Sequence, residues 1–154
     1  LFLFNRGNIL LPNTLIQTQA EFLNASKDVS FDIKPIIMPE ELKGYGISDA
    51  YYVSDDDVLI LCASQENTTN AYDDGEVSGS ILAVVHHAKT KLNAPEFVIE
   101  TYINLNEVDE SFNQQKIEAV CLYQKTESHY DLFLAADNDD GLTQLFEIQI
   151  ERNG

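Results

Sequence analysis

The sequence predicts an all-β chain assembled from repeated sheet units. Three observations carry this expectation. Short runs rich in β-branched and aromatic residues recur along the chain. Several are apolar at successive positions, as expected of strands packed on both faces. Turn chemistry separates them, at Ser54-Asp55-Asp56, at Asp73-Asp74-Gly75 and over 137–141 (DNDDG).

Taken in order, residues 1–4 (LFLF) read as the middle of a strand that runs into a turn at Asn5-Arg6-Gly7. Residue 1 is therefore expected not to be a natural start, with any targeting segment lying upstream. The only helix expected is a short one over 16–25, with a loop as the alternative. Pro35 and Pro39 flank an extended segment, 36–38, that fits an edge strand. Strands are then expected over 57–66, 81–86, 96–103, 117–124, 130–137 and 144–150.

The strands repeat. Leu132-Phe133-Leu134-Ala135-Ala136-Asp137 aligns with Leu59-Ile60-Leu61-Cys62-Ala63-Ser64 and with Leu1-Phe2-Leu3-Phe4-Asn5-Arg6. Each runs from large apolar to small or polar residues at the same point. Two are preceded by similar strands, 47–53 and 117–123, joined through short polar turns. This is the rhythm of β-propeller blades, each of four antiparallel strands. Residues 1–40 supply three strands of one blade, 46–104 a complete blade, and 117–151 three strands of another. Loops 67–78 and 105–116 make the spacing uneven, and a β-sandwich or incomplete barrel is the alternative.

Composition narrows the function classes. The chain has 154 residues, with 26 acidic against 9 basic and a net charge of −17. Nucleic-acid phosphate and anionic membranes are unfavourable partners for such a chain. No apolar run reaches the ~18–20 residues of a membrane span. A hydrophobic content of 44% excludes wholesale disorder. Two cysteines cannot build a disulfide framework. A soluble protein is expected, periplasmic or cytoplasmic.

Lys116-Ile117-Glu118-Ala119-Val120, followed by 132–141 (LFLAADNDDG) and Leu145-Phe146-Glu147-Ile148, resembles an uncharacterised family of bacterial six-bladed propellers. Phe4-Asn5-Arg6-Gly7-Asn8 and 70–80 (NAYDDGEVSGS) are similar to the same family. The resemblance extends, more loosely, to phytase-like and esterase-like propellers with a KxEG…vsDN blade, from which this chain departs in placing Ala119 after Glu118. It implies about half of a six-bladed ring: a partial blade, a full blade and a blade lacking its last strand. Residues 1–154 would form the C-terminal portion of a single propeller domain. Its cut faces would be covered by the remaining blades of the same propeller, as a second fragment, or by a homo-oligomer.

Chemistry is expected at the channel mouth, where the first strand of each blade begins and the second ends. In the 117–137 hairpin, Glu118 falls opposite Ala136 or beside Asp137. Two adjacent carboxylates repel unless a cation, a proton or an Arg compensates them. Glu118 and Asp137 are thus candidate ligands for Ca²⁺, with other blades completing the six or more oxygens it takes. The alternative is that both cap turns. Arg6 aligns with Asp137 and could hold an anionic ligand or bridge to a neighbouring blade. Glu66 precedes a long polar loop and is the second candidate ligand-binding residue.

Other motifs carry less. Read as an EF-hand, 137–148 places Gly141 at position 5 and Ile148 at position 12, which fails. His86 and His87 are adjacent on a strand and point to opposite faces. His129 lacks a sequence partner. Cys62 and Cys121 lie within strands as small hydrophobes. Asn24-Ala25-Ser26 and Asn67-Thr68-Thr69 match the glycosylation sequon, a weak pattern. The functional expectation is a propeller scaffold that binds a ligand or partner at one channel mouth, with Ca²⁺ as its cofactor. The alternative is a metal-dependent hydrolase of phosphate esters, carboxylic esters or lactones.

Overall fold

Val58 to Ser64 are buried at every position, and a strand achieves this only when both its faces are covered. Leu59, Leu61 and Ala63 enter one hydrophobic core, while Val58, Ile60 and Cys62 enter a second on the opposite face. This strand belongs to the middle of three sheets. The structure, a computed structural model, describes residues 1–24, 29–67, 75–138 and 141–152, without the Phe22 side chain.

The first sheet has the order β1-β2-β3-β7, formed by Phe2–Asn5, Thr14–Thr18, Phe31–Ile37 and Phe97–Val98. The second is β4-β5-β6-β8, formed by Gly46–Val53, Val58–Glu66, Val77–His86 and Tyr102–Asn104. The third is β9-β10-β11, formed by Ile117–Lys125, His129–Asp137 and Thr143–Glu151. All pairings are antiparallel except β3 with β7. Strands make up 54% of the described residues and helices 14%, so the fold is all-β, as the sequence predicts. The strands within 1–40 and within 117–151 fall each in one sheet, whereas 46–104 supplies the second sheet and lends β7 to the first.

The two cores explain the absence of polar alternation. Ile81, Ala83 and Val85 of β6 join Leu15, Ile36 and Phe97 of the first sheet. Leu82 joins Ile117, Val120, Leu132 and Leu134 of the third. A fully buried Leu or Ile contributes about 1.5–3 kcal/mol, so the middle sheet is stabilised from both sides.

Three local expectations are corrected. The helix expected over 16–25 is confined to one 3-10 turn, and its first residues belong to a strand. Thr14–Thr18 is a strand, because Leu15 is fully buried and β2 pairs with both β1 and β3. A 3-10 turn follows at Ala20–Leu23. The single strand expected over 96–103 is two short strands in different sheets, β7 and β8, where the chain crosses from first to second. Two short helices were not anticipated: α1, Ala88–Asn93, and α2, Leu105–Val108. Ala88 and Leu92, four apart and both buried, were the signal for α1. The edge strand expected at 36–38 is the end of the longer β3, which contains Pro35. Both sequons, and the tip of the long loop after Glu66, run into residues outside those described. Among the described residues, no helix is long and apolar enough to cross a membrane.

Candidate functional site

A one-residue bulge occurs at the same point in two sheets. In β4, Ile47 pairs with Ala63 and Asp49 with Cys62, leaving Ser48 as the extra residue. In β9, Ile117 pairs with Ala136 and Ala119 with Ala135, leaving Glu118. A bulge re-aims its side chain, and both residues turn to Arg6. One Arg6 Nη1 donates to Ser48 Oγ at 2.9 Å and to Glu118 Oε1 at 2.9 Å. Its Nη2 donates to Glu66 Oε1 at 2.8 Å. Lys116 Nζ completes the group, 3.1 Å from Glu66 and 3.6 Å from Glu118. Arg6 follows β1, Glu66 ends β5 and Lys116 precedes β9, so the quartet joins all three sheets at one end.

Backbone features hold each member in place. Buried Asn13 accepts at Oδ1 from Gly7 N at 2.7 Å and from Ile47 N at 2.8 Å, and donates through Nδ2 to Tyr45 O at 2.7 Å. It locks the Arg6-Gly7 turn to the start of β4. Gly46 lets the Arg6 stem cross that strand. A Cβ there would sit 2.6 Å from Gly7 O and 2.7 Å from Arg6 Cγ. The start of β9 is tied to the middle sheet by two buried serines. Ser80 Oγ donates to Gln115 O at 2.6 Å and accepts from Ile117 N at 3.2 Å, and it lies 2.7 Å from Ser64 Oγ. Asp49 Oδ2 accepts from Val120 N at 3.0 Å, binding the inner strands β4 and β9 directly.

Three of the four expected site residues therefore meet: Arg6, Glu66 and Glu118. The fourth, Asp137, lies across the hairpin from Lys116 and donates its N–H to Lys116 O at 3.0 Å. Glu118, the extra residue of the bulge, pairs with Arg6. The charge balance is two cations against two carboxylates. A calcium ion at Glu118 would have to displace Arg6 and Lys116 from the same oxygen, and the described residues gather no set of three His, Cys, Asp or Glu side chains that could hold a metal. Lys116 was the member without an assigned role. Its signal was Glu118 two residues on, since alternate residues of a strand share a face.

The opposite end of the hairpins holds a second cluster that sequence reasoning passed over as ordinary turns. Asp56 Oδ1 lies 2.8 Å from Arg152 Nη2, and Asp56 Oδ2 accepts from the Tyr130 hydroxyl at 2.8 Å. Lys125 Nζ stands 3.2 Å from Asp55 and 3.5 Å from Asp56. The Arg152 guanidinium lies 5.3 Å from the Tyr130 ring centre. The Tyr130 hydrogen bond, with the charges of Arg152 and Lys125, holds the Asp56 carboxyl below its ordinary value. Among the histidines, His129 lies 3.4 Å from Asp131. Cys62 is buried and its thiol is pushed up to about 12, chiefly by burial, whereas Cys121 is exposed.

Two concavities flank the quartet without containing its charges. One, of about 350 Å³, lies beneath the turn at Asn8–Pro12 against Met38 and Tyr45. The other, of about 610 Å³, runs between β1 and β4.

Three mostly antiparallel sheets, packed face to face and joined at one end by paired charges, define an all-β protein. The chain belongs to DUF6910, a family of unknown function, whose model matches residues 1–141. No curated protein and no solved structure matches it.

Proposed function

We propose that the chain is part of a six-bladed β-propeller that serves as a binding scaffold, with its rim at Arg6, Glu66, Lys116 and Glu118. The observation that carries this reading is the shared register of the sheets. The face of the second sheet that carries Ile60 and Cys62 packs on the face of the third that carries Leu132 and Leu134, and correspondingly Phe2 and Phe4 of the first pack on the face of the second that carries Leu59 and Leu61. Continued outward, that packing leaves two apolar outer faces. The first sheet presents Leu1, Phe31 and Ile33, and the third presents Tyr123, Phe133 and Leu145. Each is the face that another blade covers in the middle sheet. The partners are therefore further blades of the same ring, contributed by the same protein or by a second copy.

At the rim, the quartet neutralises itself and fixes three sheets to one another, which favours a rigid docking surface over a hydrolytic centre. Two measurements test this reading. Cys121 lies on the outer face of the third sheet, so in the complete protein a thiol reagent should label it slowly. Fast labelling in a monomer, with no companion chain by mass spectrometry, overturns the ring. For the rim, thermal unfolding with calcium and with chelator should give the same midpoint. A shift of several degrees that Glu118→Gln abolishes would instead restore the calcium site.

A further inference from the structure

A third concavity, of about 420 Å³, lies at the quartet's end of the molecule, between the start of β6 and the segment that joins α2 to β9. Asn67, Glu76, Ser78, Asn106, Asn113 and Gln114 line it, with Val77 beside them. Among these described residues four are amides, one is a carboxylate and none is a cation.

Two groups at its inner edge lack partners. Asn106 Oδ1 is buried and, among the described residues, has no hydrogen-bond donor. The Tyr45 phenol is pushed up by burial alone, with no hydrogen bond acting on it. Both groups face the space above Gly79. A Cβ built there would lie 3.1 Å from Tyr45 Oη and 3.5 Å from each of Asn106 Nδ2 and Oδ1. Buried polar atoms are normally satisfied, and an unpaired one costs stability. The backbone of Asn106 is fixed, its N–H donating to Asn104 Oδ1 at 3.2 Å. Its terminal amide turns about a soft bond and presents either oxygen or nitrogen to the cleft.

The outer wall is held in a costly shape. Gln114 has φ 59, in the left-handed region that residues other than glycine seldom adopt. Its Nε2 donates to Glu76 Oε1 at 2.8 Å, which ties the approach to β9 to the start of β6 and occupies the cleft's carboxylate. The donor set selects the guest. An anion needs cations, and a chain of −17 repels it. A hard metal ion needs several anionic oxygens. Amides donate and accept at adjacent atoms, which matches the paired hydroxyls of a sugar.

We propose that this cleft binds a neutral pyranose sugar, with one ring hydroxyl above Gly79 between Tyr45 Oη and the Asn106 amide and its neighbours facing Ser78 and Asn113. The site uses residues outside the charged quartet and stands whether or not the sheets belong to a ring.

The complete protein, labelled with ¹⁵N-asparagine and ¹⁵N-glycine, is titrated with glucose, galactose and mannose, each as free sugar and as methyl glycoside, to about 50 mM, with glycerol as control. The Asn106 and Asn113 side-chain amides and the Gly79 N–H should shift saturably with at least one sugar, at a Kd of about 1–10 mM, and stay unmoved by glycerol. Equal binding of free sugar and glycoside assigns a glycan that leaves through its anomeric oxygen, and binding of the free form alone assigns a reducing monosaccharide. Tyr45→Phe keeps the ring and removes one hydroxyl, so it should weaken binding at least about fivefold with the unfolding midpoint unchanged. Gly79→Ala should abolish binding by filling the space, and if that variant does not fold, Tyr45→Phe decides alone. No saturable shift with any of these sugars, the same shifts with glycerol, or undiminished binding in Tyr45→Phe overturns the proposal.

Discussion

Replacing Arg6 with Met removes the charge that links the sheets while keeping an unbranched stem over Gly46. Unit charges about 4 Å apart attract by about 4 kcal/mol at an effective dielectric near 20. The Arg6 side chain is 34% exposed and Glu118 32%, against 15% for Glu66. Water and side-chain ordering therefore offset most of that attraction, leaving about 1 kcal/mol per pair. Arg6→Met loses two pairs and the Ser48 bond, an expected cost of about 2 kcal/mol, or about 4–8 °C in the unfolding midpoint for a chain of this length. Urea unfolding of Arg6→Met, Glu118→Gln and the double variant isolates one pair. A coupling energy of about 0.5–1.5 kcal/mol is expected, smaller in high salt. Coupling indistinguishable from zero at low salt would refute the view that the charges at this end hold the sheets in register.

Three further outcomes follow from the structure. Gly46→Ala should destabilise by about 1–3 kcal/mol in urea unfolding, because its Cβ meets Gly7 O at 2.6 Å as well as the Arg6 stem; a neutral effect would mean that the turn shifts freely. The Asp56 carboxyl titrates lower in the folded state than in the unfolded chain. Its stabilisation is therefore present above about pH 4 and lost as pH falls through the lower folded value. The midpoint of Asp56→Asn should fall less steeply with acid than that of the parent, and parallel curves would count against the Tyr130–Asp56–Arg152 cluster. Finally, Cys62, with its thiol near 12, should resist labelling in the folded chain at about pH 8 and react only on unfolding, as read by mass spectrometry; labelling at the rate of an exposed thiol would place it outside the second core.

Most of the second and third sheets was legible in the sequence because several of their strands, β5 above all, are apolar on both faces. That pattern states how many neighbours a strand has without needing to know which. The alignment of Leu61 with Leu134, and of Ser64 with Asp137, holds residue for residue because a strand repeats every two residues and a slip would turn its side chains outward. Arg6, Glu66 and Glu118 were legible as candidates from their common position at strand ends. Their company was not. Ser48 and Glu118 reach Arg6 only because each is the extra residue of a bulge, and a bulge leaves no mark in hydrophobic alternation. Asn13 reaches Ile47 N 34 positions away, Ser80 reaches Gln115 O 35 positions away, and Lys116 reaches Glu66 50 positions away. The helix expected near residue 16 became a strand for the same reason, since weak local preference yields when Leu15 can be fully buried between two partners. The sequence by itself determined most of the strands and their common end, though not β2 or the division of 96–103 between two sheets. Which charges neutralise one another there was decided only when packing brought three sheets to a single point, because pairing energy depends on distance in space and not on separation along the chain.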